Sequence, residues 1–131
     1  MKRIVSFSLA ALLCMFGVAG CAQQKENTYQ QINAQEAKHI MDTEKDYVII
    51  DARTEEEFAT GHIKNAILIP EYEIAARAEK ELPDKDALIL VYCRSGRRSK
   101  IASEELVKLG YTNVKEFGGI IDWPYETTTE A

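Results

Sequence analysis

The chain has 131 residues, 46% of them hydrophobic and 28% charged, which suits one packed domain. Its formal net charge is −5 and its pI about 5.1, with no basic run outside one short loop, so a nucleic-acid-binding surface is not expected. No internal repeat or low-complexity tract breaks it up.

The N-terminus differs from the rest. Lys2 and Arg3 precede an apolar run over residues 4–18, and no acidic residue comes before Glu26. A basic start, an apolar middle and small residues near the cut are the shape of a secretory signal. The run closes on Val18-Ala19-Gly20-Cys21, which resembles the bacterial lipobox, where lipid is attached to the cysteine and cleavage makes it the new N-terminus. The expected organisation is a lipoprotein signal peptide over residues 1–20, a lipidated tether over 21–28 and one domain over 29–131. An uncleaved anchor suits the small-residue pair before Cys21 less well, and the run is barely long enough to span a bilayer; simple secretion is a third reading. All three put the domain outside the cytoplasm.

Cleavage removes Lys2 and Arg3 and takes the net charge from −5 to −7. It also removes Cys14, while lipid occupies Cys21, so Cys93 is left as the one free thiol. Oxidising compartments favour paired cysteines. A lone thiol there is either buried and inert or kept for its reactivity.

Residues 29–32 read as a short first strand. Asn33 with Glu36 forms a capping-box pattern, followed by Ala37, Ile40 and Met41 at helical spacing. Tyr47-Val48-Ile49-Ile50 is a continuous apolar run of the kind buried on both faces of a sheet. Thr54 with Glu57 is a second capping-box pattern, opening a short helix that stops at Gly61. Residues 66–69 read as a strand ended by Pro70, and Ile74, Ala78 and Leu82 then recur at helical spacing. Leu88-Ile89-Leu90-Val91-Tyr92 is the strongest strand, with Cys93 directly after it. A helix is expected from Ser99, with Ala102, Leu106 and Leu109 inward and Gly110 as its stop. Residues 114–117 form the last strand, before Gly118-Gly119 and a closing segment with Trp123.

Alternating buried strands and helices predict an α/β fold, an open parallel sheet with helices on both faces. Sites in such sheets lie beyond the carboxyl ends of the strands, where Cys93 falls. A thiolate is a far better nucleophile than a thiol, and positive charge or oriented donors favour it. The segment Cys93-Arg94-Ser95-Gly96-Arg97-Arg98-Ser99 can supply both. Gly96 permits a tight loop whose N–H groups turn inward as an anion nest. The helix start near Ser99 points its positive dipole end at the same spot. Arg94, Arg97 and Arg98 add charge.

The run from Tyr92 to Ser99 resembles the active-site loop of rhodanese-family sulfurtransferases. Val48-Ile49-Ile50-Asp51-Ala52-Arg53, then Glu57-Phe58, Gly61-His62-Ile63 and Ala66, resembles that family's first signature, and Gly118-Gly119 with Trp123 its C-terminal one. The resemblance implies a three-layer fold with five parallel strands in the order 1-5-4-2-3. It implies that Cys93 thiolate takes the outer sulfur of a donor such as thiosulfate, that a Cys93 persulfide forms, and that a thiophile then accepts the sulfur. Arg94, Ser95, Gly96, Arg97, Arg98 and Ser99 would bind the substrate or persulfide. The partners are small sulfur-containing anions and thiol acceptors, with the membrane reached through lipid on Cys21. No metal or other cofactor is implied, and the oligomeric state is left open, with a monomer as the expectation.

Two other functions compete. Cysteine phosphatases, and arsenate reductases on the same fold, use a longer loop. The phosphatase pattern has an arginine at the sixth place after the cysteine, where this chain has Ser99. A purely binding domain gives no reason to keep a lone thiol in a charged loop. Asp51 and Arg53 are read as structural groups near the site, His62 as a packing and hydrogen-bonding residue, His39 as a solvated helix residue, Ser99 first as a helix cap and second as a donor to the Cys93 sulfur, and Trp123 as packing.

Overall fold

A computed structural model describes residues 28–131; the expected signal segment, Cys21 and all of the tether but Thr28 lie outside the described residues. The elements follow in order as β1 (Gln30–Gln31), α1 (Ala34–Thr43), β2 (Val48–Asp51), α2 (Glu55–Thr60), β3 (Ile67–Leu68), α3 (Ile74–Glu81), β4 (Ile89–Cys93), α4 (Arg97–Lys108) and β5 (Val114–Gly119). Single 3₁₀ turns at Glu71–Glu73 and Ile120–Asp122 precede α3 and follow β5. All strand pairings within the sheet are parallel, in the order β1-β5-β4-β2-β3, which is the order the resemblance implied.

The apolar runs make the sheet because neighbouring residues of a buried strand face opposite layers. Ile50, Ile89 and Val91 point into one cluster with Ile74, Ala78, Ala102 and Leu106 of α3 and α4. Ile49, Leu90 and Tyr92 point the other way, into a cluster with Ala37 of α1, Ile63 and Trp123. Each fully buried Ile or Val is worth about 1.5–3 kcal/mol relative to exposure. β4 is the central strand of the sheet, and all five of its residues are buried.

Local signals place most of the boundaries. Asn33 and Glu36 close a true capping box at α1. At α2 only half of the box forms: Thr54 accepts from the Glu57 N–H at 3.3 Å, but the Glu57 carboxylate accepts from the Thr54 hydroxyl at 3.2 Å and from Arg98 rather than from the Thr54 N–H. The start of α4 differs from expectation. It begins at Arg97, not Ser99, with Gly96 at its cap in a left-handed conformation, φ 106°, and no side-chain cap. Ser99 is therefore the third residue of the helix and is not its cap. Gly96 lets the loop close three residues sooner than a side-chain cap at Ser99 would have allowed.

The carboxyl end of the sheet is tied by one buried acid. Asp51, with no exposed surface, accepts from the Arg53 backbone at 2.9 Å, from Arg53 Nη2 at 2.7 Å and from the Tyr92 hydroxyl at 2.6 Å. Arg53 also donates to the Gly61 carbonyl at 2.7 Å, and the Tyr92 oxygen accepts from the Ile63 N–H at 3.0 Å. Burial, and after it the Asp51 charge, push the Tyr92 phenol far above its ordinary range, so it stays protonated and donates. Arg53→Ala leaves the Asp51 charge uncompensated in a dry site and should cost about 3–5 kcal/mol. Urea unfolding of the two proteins checks this; a loss below about 1 kcal/mol, the scale of a surface pair, would show that the pair is not the tie described here.

Candidate active site

Cys93 is the last residue of β4 and is itself buried, 1% exposed. The chain turns at once into the loop and enters α4, so the amino end of that helix lies against the sulfur. The Gly96 N–H donates to Cys93 Sγ at 3.0 Å. The loop rests on β5. Register slips between Val91 and Cys93, so that Cys93 stands opposite Gly119, with Gly118 at φ 89° in the bulge. Gly119 has to be glycine because a Cβ there would lie 2.0 Å from the Arg94 carbonyl oxygen. The same carbonyl accepts from the Ile121 N–H at 3.2 Å, which fixes the loop from below.

The three loop arginines stand in different surroundings. Arg94 and Arg97 are exposed, as is Ser95. Arg98 is half-buried and forms a fork with Glu57, Nη1 to Oε1 at 2.7 Å and Nη2 to Oε2 at 2.9 Å. This is where the missing half of the α2 capping box has gone. A bidentate charge-assisted pair outcompetes a single contact to a backbone N–H. Sequence reasoning put Arg98 on the substrate; here its guanidinium is engaged by Glu57, and its charge still reaches the Cys93 sulfur.

Ser99 is fully buried and joins the site to a residue that sequence reasoning missed. Its hydroxyl donates to Glu116 Oε1 at 2.7 Å, with the Gly96 carbonyl at 3.0 Å as a weaker acceptor, and its oxygen accepts from the Cys93 thiol at 3.4 Å. Glu116, 3% exposed on β5, also accepts from the Gly118 N–H at 2.8 Å. Its signal in the sequence was its spacing: it lies two residues after the inward-facing Val114 and two before the glycine pair.

The other named residues lie outside this cluster. His62 is buried, stacked on Phe58 with ring centroids 3.6 Å apart, its Nδ1 2.9 Å from the Phe58 carbonyl oxygen. His39 is exposed on α1, and Trp123 packs between Phe117 and Tyr125. A cavity of about 720 Å³ beside Met41, Tyr47, Ile63 and Trp123 does not include Cys93. No group of three or more potential metal ligands occurs among the described residues.

The Arg98 hydrogen bonds take the Glu57 carboxyl from its ordinary 4.5 down to about 2. A lowered carboxyl stabilises the fold above its unfolded value, and that contribution is lost as pH falls through the folded one. The α2–α4 link should therefore persist at pH 3.5 and fail near pH 2. In Arg98→Met the Glu57 titration, followed by carboxyl NMR, should return to about 4.5. An unchanged titration in that variant would rule out Arg98 as the cause.

Comparison with known proteins agrees with this geometry. The family model described as "Rhodanese-like domain" matches residues 33–124. The thiosulfate sulfurtransferase PspE of Escherichia coli is 41% identical over 73 residues, covering 56% of this chain and 70% of that protein. The adenylyltransferase and sulfurtransferase UBA4 of Candida albicans is 33% identical over 100 residues, 71% of this chain but only 23% of that longer protein. Among solved structures, a rhodanese with anions from E. coli superposes with a TM-score of 0.60 at 36% identity, over 64% of this chain and 99% of that one. A family match over more than half the length, spanning the loop after Cys93, places the chain in the rhodanese-like domain family.

Proposed function

We propose that this protein moves sulfane sulfur from a small anionic donor such as thiosulfate to a thiophilic acceptor through a persulfide on Cys93. The observation that carries this is the Gly96 N–H held 3.0 Å from the Cys93 sulfur at the amino end of α4, an arrangement suited to an anionic sulfur. Cys93 thiolate attacks the outer sulfur of thiosulfate. The new S–S bond forms as the bond to the sulfonate sulfur breaks, and that electron pair leaves with sulfite. Cyanide or a thiolate then attacks the outer persulfide sulfur, and Cys93 leaves as thiolate. Arg94 and Arg97, exposed on the loop, are the groups that draw in the anionic donor, while Ser95, Gly96 and Ser99 line the cup. Arg98, engaged by Glu57, contributes long-range charge. Phosphate transfer fits less well, because Ser99 stands where that chemistry needs an arginine.

A second reading has one observation behind it. Cys93 is only 1% exposed, which suits a domain that binds anions without forming a covalent bond. Mass spectrometry separates the two. Thiosulfate should add one sulfur atom, about 32 Da, to the protein, reversibly with cyanide and not at all in Cys93→Ser. Wild-type protein that binds thiosulfate without gaining mass would transfer the case to the binding domain. Arg94→Ala and Arg97→Ala should each weaken use of thiosulfate by about 1.5–3 kcal/mol in kcat/KM, the usual worth of a charge-assisted contact.

The site is proposed to work outside the cytoplasm, on a lipid anchor at Cys21, as the signal and lipobox motifs suggest. Thr28 enters β1 at the amino end of a wholly parallel sheet, whereas Cys93 ends β4 at the carboxyl end. An anchor attached there leaves the sulfur at the far end of the domain from the attachment point. Cys21→Ser should abolish detergent-phase partitioning; a variant processed and membrane-held as before would exclude lipidation.

A further inference from the structure

We infer that Glu116 is a positioning residue that holds Cys93 in its thiol form through Ser99, and so sets the pH above which the sulfur becomes reactive. This rests on Cys93 being the reactive sulfur of the proposed function.

A serine hydroxyl has one proton to give. Three acceptors surround that of Ser99: Glu116 Oε1 at 2.7 Å, the Gly96 carbonyl at 3.0 Å and the Gly118 carbonyl at 3.4 Å. The carboxylate is both the nearest and the charged acceptor, so it takes the proton. The Ser99 oxygen is then left to accept, and the group facing it is the Cys93 S–H at 3.4 Å. The order is thiol to hydroxyl to carboxylate. If Cys93 loses its proton to a base in solvent, the Ser99 proton stands between two anions and serves only one of them. Glu116 thus opposes the anionic sulfur twice, by its charge and by withholding the Ser99 donor.

The remaining charged groups around Cys93 pull in both directions. Arg98 on α4 favours the anion and is partly offset by Glu57 on α2. Asp51 and Arg53, at the end of β2, form a pair of their own. Arg94 and Arg97 are exposed to solvent. Beyond Glu116 stand Tyr29, next to β1, and the exposed Glu104 on α4. Glu116 is the one buried acid in hydrogen-bond contact with a partner of the sulfur, and no cation lies within salt-bridge distance of it among the described residues.

Alkylation of Cys93 by neutral iodoacetamide, followed on the Cys93 peptide of the full chain by mass spectrometry across pH, tests this without needing sulfur transfer. Glu116→Gln keeps an acceptor for Ser99 and for the Gly118 N–H but removes the charge. Its alkylation midpoint should fall by about one pH unit. An unchanged midpoint would make Glu116 merely structural. A raised one would make it the base that takes the Cys93 proton. Either result overturns the inference. Ser99→Ala gives an independent arm should Glu116→Gln not fold: a midpoint equal to or below wild type fits a serine that accepts from the thiol, and a raised midpoint overturns it by showing a serine that donates to the anion. Alkylation that follows these shifts in a protein that gains no sulfur from thiosulfate would sink the proposed function while leaving this inference standing.

Discussion

A carboxylate with no exposed surface sits where β2 and β4 end side by side, and the site end of the domain is built around satisfying it. Arg53 and Tyr92 both turn to Asp51, and each has a second duty. Arg53 holds the Gly61 carbonyl and so fixes the end of α2; Tyr92 holds the Ile63 N–H and so fixes the approach to β3. With α2 fixed, Glu57 is in place to grip Arg98, and Arg98 belongs to the first turn of α4. The loop after Cys93 is thus stretched between a strand end and a helix start that are both held from β2. A buried ion pair is a poor source of net stability, since apolar packing of the same volume often does as well. What it supplies here is direction.

The other support of the loop comes from β5 and is steric. Parallel strands carry the chain past the end of β4, and a bulge at Gly118 shifts β5 by one residue so that Gly119 passes directly beneath Arg94 and Ser95. No side chain fits in that gap. The bulge follows directly on the stretch that carries Glu116, whose carboxylate reaches the Gly118 N–H and Ser99 together. This close approach of the backbones seats the loop in which the Gly96 N–H reaches the sulfur.

Charge around the site is divided by what each group is tied to. In a chain of net charge −5, Arg53 and Arg98 are matched by Asp51 and Glu57 and serve as structural links. Arg94, on the loop, and Arg97, the first residue of α4, are exposed to solvent. Arg97 and Arg98, adjacent in sequence, therefore do two different jobs. Rotation about the α4 axis separates them, carrying Arg98 toward α2 and leaving Arg97 outside.

Much of the fold was legible in the sequence because its signals are local. Apolar runs such as Leu88-Ile89-Leu90-Val91-Tyr92 mark buried parallel strands, the Asn33 and Glu36 pair marks a helix start, and the glycine at 96 marks a tight turn beside the cysteine. Cys93 at the carboxyl end of an inner strand followed from the alternation of elements alone. What stayed hidden depends on contacts between distant residues. Glu57 read only as the partner of Thr54, three residues away; folding keeps that contact and brings Arg98 to the same carboxylate from 41 residues away. Glu116, between Lys115 and Phe117, read as an ordinary strand residue, and only the packing of α4 against β5 closed solvent off from it. The sequence by itself determined which segments are buried, where the chain turns and at which strand end Cys93 stands, because backbone conformation and burial follow from neighbouring side chains. Only the tertiary structure decided which charges are paired, because a carboxylate's partner is set by which groups the fold places within about 3 Å of it, and that distance has no counterpart along the chain.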